Sequence, residues 1–250
     1  MHVIIPARYA STRLPGKPLA DIAGQTLIQR VYGRALDAGA QSVVIATDDE
    51  RIRAVAEGFG AKVCMTRVDH RSGTDRLAEV IEKLAIGEHE TVVNLQGDEP
   101  LMPPALIREV AQSLATHADA VVATACHAIT DRDEFTNPNV VKVVLDQAGY
   151  AVYFSRAPIP WPRDAMAGTS NNPIHAYRHV GLYAYRAGFV RRYAAWPVCE
   201  LEQAEQLEQL RVLWRGERIA MCVTHELPGP GVDTPEDLER VRSIFMNRGR

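Results

Sequence analysis

No run in this chain of 250 residues approaches the length of a transmembrane helix, and Met1 leads straight into an apolar strand pattern rather than a charged and then apolar leader. The expectation is a soluble, cytoplasmic protein with no membrane partner. A basic surplus is missing as well: 28 Lys and Arg against 31 Asp and Glu leave a formal net charge of -3. General binding to nucleic acid or to an anionic bilayer needs a broad basic surface, so neither is expected. Cysteine is scarce and scattered. Cys64, Cys126, Cys199 and Cys222 form no C-x-x-C pair, which favours reduced core thiols over disulfides or a zinc site. Two nucleotide signatures are absent too. Gly16-Lys17 is no Walker A, because Pro18 stands where Ser or Thr is needed and no glycine precedes Gly16 at the required spacing. Gly58-Phe59-Gly60 ends a helical pattern where a dinucleotide fingerprint would open one.

What is present is 46% apolar and 24% charged residues, enough to bury the core of one large domain or two tight sub-lobes. The stretch Pro6 to Leu19 follows the apolar run Val3 to Ile5 and carries Arg8, Arg13 and Lys17 among three prolines and a glycine. It is therefore a loop at the carboxyl end of a first strand, where open α/β sheets bind ligands, and its cations point to an anion such as a polyphosphate. Thr26 then caps a helix with apolar positions Leu27, Ile28, Val31, Ala35 and Leu36. Ser42 to Thr47 reads as a buried parallel strand, Asp49 to Phe59 as a helix and Lys62 to Thr66 as the next strand, a β-α-β-α-β alternation. Arg71 to Arg76 is a polar turn at the start of another helix, with Gly73 and Thr74 able to bring backbone near a base or phosphate.

The apolar run from Thr91 ends on Gln96-Gly97-Asp98-Glu99-Pro100, an acidic pair delivered by a buried strand. Asp98 then sits where magnesium bound to phosphate would, whereas Glu99 reads as solvated or capping, and Gly97 allows close backbone approach. Helix Pro104 to Thr116 and strand Ala120 to Cys126 follow. Val140 to Leu145 and Tyr150 to Ser155 flank a hairpin turn, Asp164 to Pro173 is a polar mobile loop, and Tyr177 to Arg186 alternates as a further strand. A small antiparallel insertion is thus expected in the α/β core. His175 and His179 have helical metal spacing but lie in or near that strand, which argues against a paired-His site. One helix is expected from Leu201 to Trp214, then strand Arg218 to Val223 and a helix started by Thr234 and Pro235. For Asp233, just before that start, metal ligation and helix-dipole complementarity weigh about evenly.

Five stretches taken together resemble the 3-deoxy-manno-octulosonate cytidylyltransferase (CMP-Kdo synthetase) family: Arg-Leu-Pro-Gly-Lys at Arg13 to Lys17, Leu-Gln-Gly-Asp-Glu-Pro at Leu95 to Pro100, Phe-Ser-Arg-Ala-Pro-Ile-Pro-Trp at Phe154 to Trp161, Leu-Glu-Gln-Leu-Arg at Leu207 to Arg211, and Gly-Val-Asp-Thr-Pro-Glu-Asp-Leu at Gly231 to Leu238. The first alone is common to many nucleotidyltransferases; the five in this order are far more specific. The resemblance implies an α/β fold, a Rossmann-like nucleotidyltransferase sheet with a small inserted antiparallel sheet, as a single domain over 1–250 with a dimerisation and sugar-binding sub-lobe near 138–196.

It also implies CMP transfer from CTP to the anomeric hydroxyl of the sugar acid Kdo, for lipopolysaccharide synthesis in the cytoplasm by a magnesium-dependent homodimer. Ala7, Arg8, Lys17, Gly73, Thr74 and Gln96 would bind the nucleotide, with Arg8 and Lys17 on its phosphates. Asp98 and Asp233 would hold Mg2+, and Asp98, Lys17 and Arg8 would be the catalytic set. Gln96, Arg156, His179, Tyr183, Glu208 and Gln209 would shape the sugar-acid pocket, with Arg76 pairing the carboxylate. Cations neutralise the triphosphate, the hydroxyl attacks the α-phosphorus in line, and no Ser, Cys or His nucleophile is needed. The alternatives are another acidic sugar such as sialic acid, another NTP, or a nucleotide-binding regulatory module without turnover.

Overall fold

The computed structural model describes residues 1–10, 13–70, 72–166 and 175–248. Ser11 and Thr12 of the first loop, Arg71 of the polar turn and most of the loop expected over Asp164 to Pro173 lie outside the described residues. In chain order the elements are β1 (His2–Ala7), β2 (Asp21–Ile22), β3 (Gln25–Thr26), α1 (Leu27–Asp37), β4 (Ser42–Thr47), α2 (Glu50–Gly58), β5 (Lys62–Met65), α3 (Gly73–Lys83), β6 (Thr91–Asn94), α4 (Pro104–Thr116), β7 (Ala120–Ile129) and α5 (Arg132–Thr136). There follow β8 (Lys142–Leu145), β9 (Ala151–Ser155), α6 (Arg163–Met166), β10 (Ala176–Arg186), α7 (Ala187–Ala194), α8 (Glu200–Glu205), α9 (Leu210–Trp214), β11 (Arg218–Val223) and α10 (Pro235–Arg248).

The main sheet has the order β11-β7-β10-β6-β1-β4-β5. Strand β1 is parallel to β4 and β6, β4 to β5, and β11 to β7, while β10 runs antiparallel to both neighbours. Helices cover both faces, and this explains why β1 is apolar without alternation. Val3 and Ile5 join a core with Leu27, Ile28 and Val31 of α1, Leu106 and Val110 of α4 and Val241 of α10. Ile4 points the other way, into a core with Leu77, Val80 and Ile81 of α3, Phe189 of α7 and Leu210 of α9. The caps read from sequence form: Thr26 accepts a hydrogen bond from the Gln29 amide at 3.3 Å, and Ser72 and Asp75 bond each other's backbone N–H at 3.1 Å.

The inserted hairpin is β8–β9, and it hangs on the main sheet through β10, whose Tyr177 and Arg178 pair with β8. Of the span 138–196, β10 itself therefore runs inside the main sheet, with Tyr183 to Tyr185 paired to both β6 and β7. The helix expected over Leu201 to Trp214 is two short helices instead. Gln206 adopts the left-handed conformation at φ 53° and breaks the run, so Glu208 and Gln209 sit on a turn. Arg211 donates two bonds to Glu202, at 2.6 and 2.5 Å, and so staples α9 to α8 across the break.

Candidate active site

Because β1 and β6 are adjacent and parallel, with Ile4 beside Asn94, the loops that leave their carboxyl ends must meet. Gly97 permits the contact: a Cβ there would stand 2.7 Å from the Pro6 carbonyl oxygen, closer than any side chain tolerates. Between these loops and the start of α3 opens a cleft of about 470 Å³, lined among others by Ala7, Arg8, Arg13, Lys17, Gly73, Gln96, Asp98, Glu208 and Asp233. The Lys17 ammonium donates to Asp98 Oδ2 at 2.7 Å and to Asp233 Oδ1 at 3.2 Å, and Arg13 reaches the same Asp233 oxygen at 3.1 Å. Burial works against the ammonium, but the two carboxylates outweigh it and hold the Lys17 pKa above its ordinary value.

Asp233 arrives by an indirect route. Strand β11 is separated from β6 by β7 and β10, and the chain returns over 224–232 until the Val232 N–H donates to the Asp98 carbonyl at 2.9 Å. Capping of α10 falls to its neighbours. Thr234 Oγ1 accepts from the Asp237 N–H at 3.2 Å, and the Asp237 carboxylate accepts from the N–H groups of Asp233 and Thr234. That leaves the Asp233 side chain facing Lys17 and Arg13. Arg8 donates to the His70 carbonyl, which fixes its guanidinium at the cleft wall.

A second compartment of about 270 Å³ opens behind the first and shares Gly73, Gln96 and Glu208 with it. Its walls include Thr74, Asn94, Tyr183, Tyr185, Tyr193 and Gln209. Thr74 Oγ1 donates to Glu208 Oε2 at 3.1 Å, and burial pushes the Glu208 carboxyl above its ordinary pKa. The Tyr193 hydroxyl donates to the Glu208 carbonyl at 3.0 Å, tying α7 to the turn that carries this residue. Among the described residues, no lysine or arginine lines this compartment.

Three of the sequence-named residues lie elsewhere. Arg76 is fully buried, its guanidinium committed to Asp48 at 3.0 Å and to Thr66, and it lines neither compartment. Its aliphatic stem follows the inward face of α3, and Asp48 meets it there. Arg156 donates to the carbonyls of Glu205 at 2.8 Å and Pro138 at 3.2 Å, bracing the inserted hairpin against α8. His179 stands behind Tyr183, ring centroids 5.4 Å apart, with its Nε2 3.0 Å from Thr124 Oγ1, and burial pushes its pKa down to about 3. The rest of the named set lines one compartment or both.

Asn94, Tyr185 and Tyr193 were not singled out from sequence. Asn94 did carry a signal, a polar amide inside the apolar run Val92 to Leu95. Glu99 was misjudged: burial, then the charges of Asp98 and Asp233, push its carboxyl up to about 8. Gly231 stands against it, where a Cβ would lie 3.1 Å from Glu99 Oε1.

Comparison with known proteins gives consistent results. The Cytidylyltransferase family model matches residues 2–219. A 3-deoxy-manno-octulosonate cytidylyltransferase of Pasteurella multocida is 56% identical, covering 97% of each chain, and one of Vibrio parahaemolyticus is 59% identical, covering 98% of each. Among solved structures, one described as CMP:2-keto-3-deoxy-manno-octonic acid synthetase complexed with CTP is 46% identical and superimposes with a TM-score of 0.90 over 98% of both chains. A cytidylyltransferase of Leptospira borgpetersenii, 16% identical with a TM-score of 0.64 over 98% of this chain and 86% of its own, shares the fold. With such identity over nearly its whole length, the chain belongs to the 3-deoxy-manno-octulosonate cytidylyltransferase family.

Proposed function

We propose that this protein is a cytidylyltransferase that transfers CMP from CTP to the anomeric hydroxyl of 3-deoxy-D-manno-octulosonate, giving CMP-Kdo and pyrophosphate. The observation that carries the reading is the junction of two unlike compartments, one lined by Arg8, Arg13 and Lys17 and one lined, among the described residues, by tyrosines, amides, Thr74 and the Glu208 carboxyl with no cation. The first suits a triphosphate and the second a polyhydroxylated sugar, and a reaction between them requires such a junction. Arg8, Arg13 and Lys17 draw charge from the phosphates, and the Gly73 and Thr74 N-terminus of α3 supports the same anion. The acceptor oxygen forms its bond to the α-phosphorus as the bond to the β-phosphate oxygen breaks. The hydroxyl proton passes to solvent, and pyrophosphate leaves on the side opposite the attack.

The acidic pair fits a divalent cation. Lys17 already places one ammonium in contact with both Asp98 and Asp233, so the two carboxylates converge on a point where positive charge belongs. Among the described residues there is no cluster of three His, Cys, Asp or Glu side chains. Two carboxylates completed by substrate oxygens are the donor set magnesium favours over an all-protein cage. Bound there, Mg2+ would supply charge neutralisation at the reacting phosphate and acidify a hydroxyl that touches it. We further propose a cytoplasmic homodimer serving lipopolysaccharide synthesis, the dimer resting on the β8–β9 hairpin, where among the described residues β9 pairs only with β8 within the sheet and Val152 is exposed.

Pyrophosphate release measured with CTP, UTP and ATP against Kdo and sialic acid tests the reading. Turnover is expected with CTP and Kdo and a divalent cation. Equal turnover with sialic acid refutes the acceptor assignment, and CTP binding without any turnover favours a regulatory module.

A further inference from the structure

Five buried side-chain nitrogen or oxygen atoms of the described residues have no hydrogen-bond partner, and two of them, Asn94 Oδ1 and Gln209 Nε2, belong to residues that line the inner compartment. Both residues are more than nine-tenths buried, Asn94 at 2% exposure and Gln209 at 7%. A buried amide atom without a partner is a standing cost unless something fills it, and these two, one acceptor and one donor, belong to residues that line the same small volume. A hydroxyl is the complement, since it donates and accepts, and it suits an amide whichever end it meets.

The surroundings narrow the choice further. Asn94 ends β6 opposite Tyr183 of β10, and the Tyr185 phenol, two residues further along β10, hydrogen-bonds with the side chains of Asn94 and Thr74. Burial raises the pKa values of Tyr185 and Tyr193, so both phenols stay neutral. A carboxylate or phosphate placed among them would meet no cation. In a 2-keto sugar acid the carboxylate and the anomeric hydroxyl flank a single carbon, and that carbon has to lie at the cationic cleft. What extends into the inner compartment is then the hydroxylated remainder of the molecule.

Resting on the function proposed above, we propose that Asn94 is a specificity-determining residue of the acceptor site, its amide hydrogen-bonding one hydroxyl of the sugar acid away from the reacting carbon. The site selects acceptors that carry this hydroxyl because an acceptor without it leaves Asn94 Oδ1 buried and without a partner. Selection of this kind is stronger than a matching of apolar shapes.

The test compares wild type with Asn94→Leu, which keeps the volume and removes the amide, and with Asn94→Ser, which keeps a smaller polar group should Leu fail to fold. Each is assayed with CTP and the full sugar acid, and with a set of analogues each lacking one hydroxyl. The expected result is a loss of roughly 10- to 100-fold in kcat/KM for the full acceptor with the CTP Kd unchanged. For one analogue alone, wild type and variant should become nearly equal, which identifies the partner hydroxyl. A variant that slows every analogue by the same factor has lost structure only and overturns this assignment, as does a variant whose main change is in CTP affinity. Wild type that releases no pyrophosphate with the full sugar acid overturns the proposed function itself, and this inference with it.

Discussion

Replacing Lys17 by methionine keeps the aliphatic stem and removes only the charge that bridges Asp98 and Asp233. The two carboxylates then face each other with Arg13 as their remaining close cation, and Arg13 is 63% exposed. Removing one partner of a fully buried ion pair costs about 3–5 kcal/mol, but here Asp98 and Asp233 are 32% and 51% exposed and water screens them. A loss of about 1–2 kcal/mol is the discounted figure, or roughly 2–8 °C in Tm for a chain of this size. A divalent cation placed between the carboxylates supplies what the ammonium no longer does. Magnesium should therefore raise the Tm of Lys17→Met more than that of wild type, in the absence of nucleotide. Catalytic efficiency toward CTP falls for a separate reason, the loss of a charge-assisted contact worth about 1.5–3 kcal/mol, hence roughly 10- to 150-fold. Differential scanning fluorimetry with and without magnesium and a CTP titration read both effects. An unchanged CTP dependence, with equal magnesium shifts in the two proteins, would return the Pro6 to Leu19 stretch to an ordinary solvated turn.

Asp98→Asn and Asp233→Asn should each lower kcat by at least about a hundredfold with the fold intact, since single electrostatic groups at a transition state carry that much; loss of Tm with normal turnover in Asp233→Asn would instead mark it as a residue of the α10 terminus. Gly97→Ala forces its Cβ against the Pro6 carbonyl and should destabilise by about 1–3 kcal/mol while raising the CTP KM, because β1 and β6 deliver their loops through this contact; an unchanged KM would separate the contact from the cleft. Glu79 links stability to pH. Burial pushes its carboxyl up, but Lys83 at 2.8 Å, His70 and the Arg67 N–H at 3.0 Å outweigh this and hold it down at about 2 against a usual 4.5. The stabilisation is complete above about pH 4.5 and is lost as pH falls toward 2, so the Tm gap between wild type and Glu79→Gln should close over that window, and a gap independent of pH would refute the assignment.

The features legible in the sequence are those in which a local pattern and its structural use coincide. The run Val3 to Ile5 followed by a cationic, proline-rich loop can only be a strand end, and the same holds for Val92 to Leu95 followed by Gly97 and Asp98. What was not legible depends on partners distant in the chain. Arg76 opens a helix beside Gly73 and Thr74, yet Asp48, at the end of β4, draws its guanidinium into the core. The break at Gln206 has no glycine or proline to announce it, because the turn is held by tertiary contacts: Arg211 to Glu202, and Tyr193 to the Glu208 carbonyl. Glu99 looks like any loop carboxylate until Gly231 closes over it from the far end of the chain.

On the function proposed above, position at the border between the two compartments counts alongside charge in deciding which residues the chemistry needs. The cations of the first loop can hold a triphosphate without an acceptor, and the tyrosines behind can hold a sugar without a nucleotide. Among the described residues, only Gly73, Gln96 and Glu208 line both volumes. In-line displacement needs the acceptor oxygen on one side of the phosphorus and the leaving oxygen on the other, so the bond must form where the volumes join. Gly73 borders Pro6 at that junction, where an added Cβ would make an ordinary contact at 3.7 Å from Pro6 Cγ. Glu208 reaches it from the turn that breaks α8 from α9. On the function proposed above, the irregular Gln206 to Gln209 turn is what brings Glu208 to the junction of the two compartments.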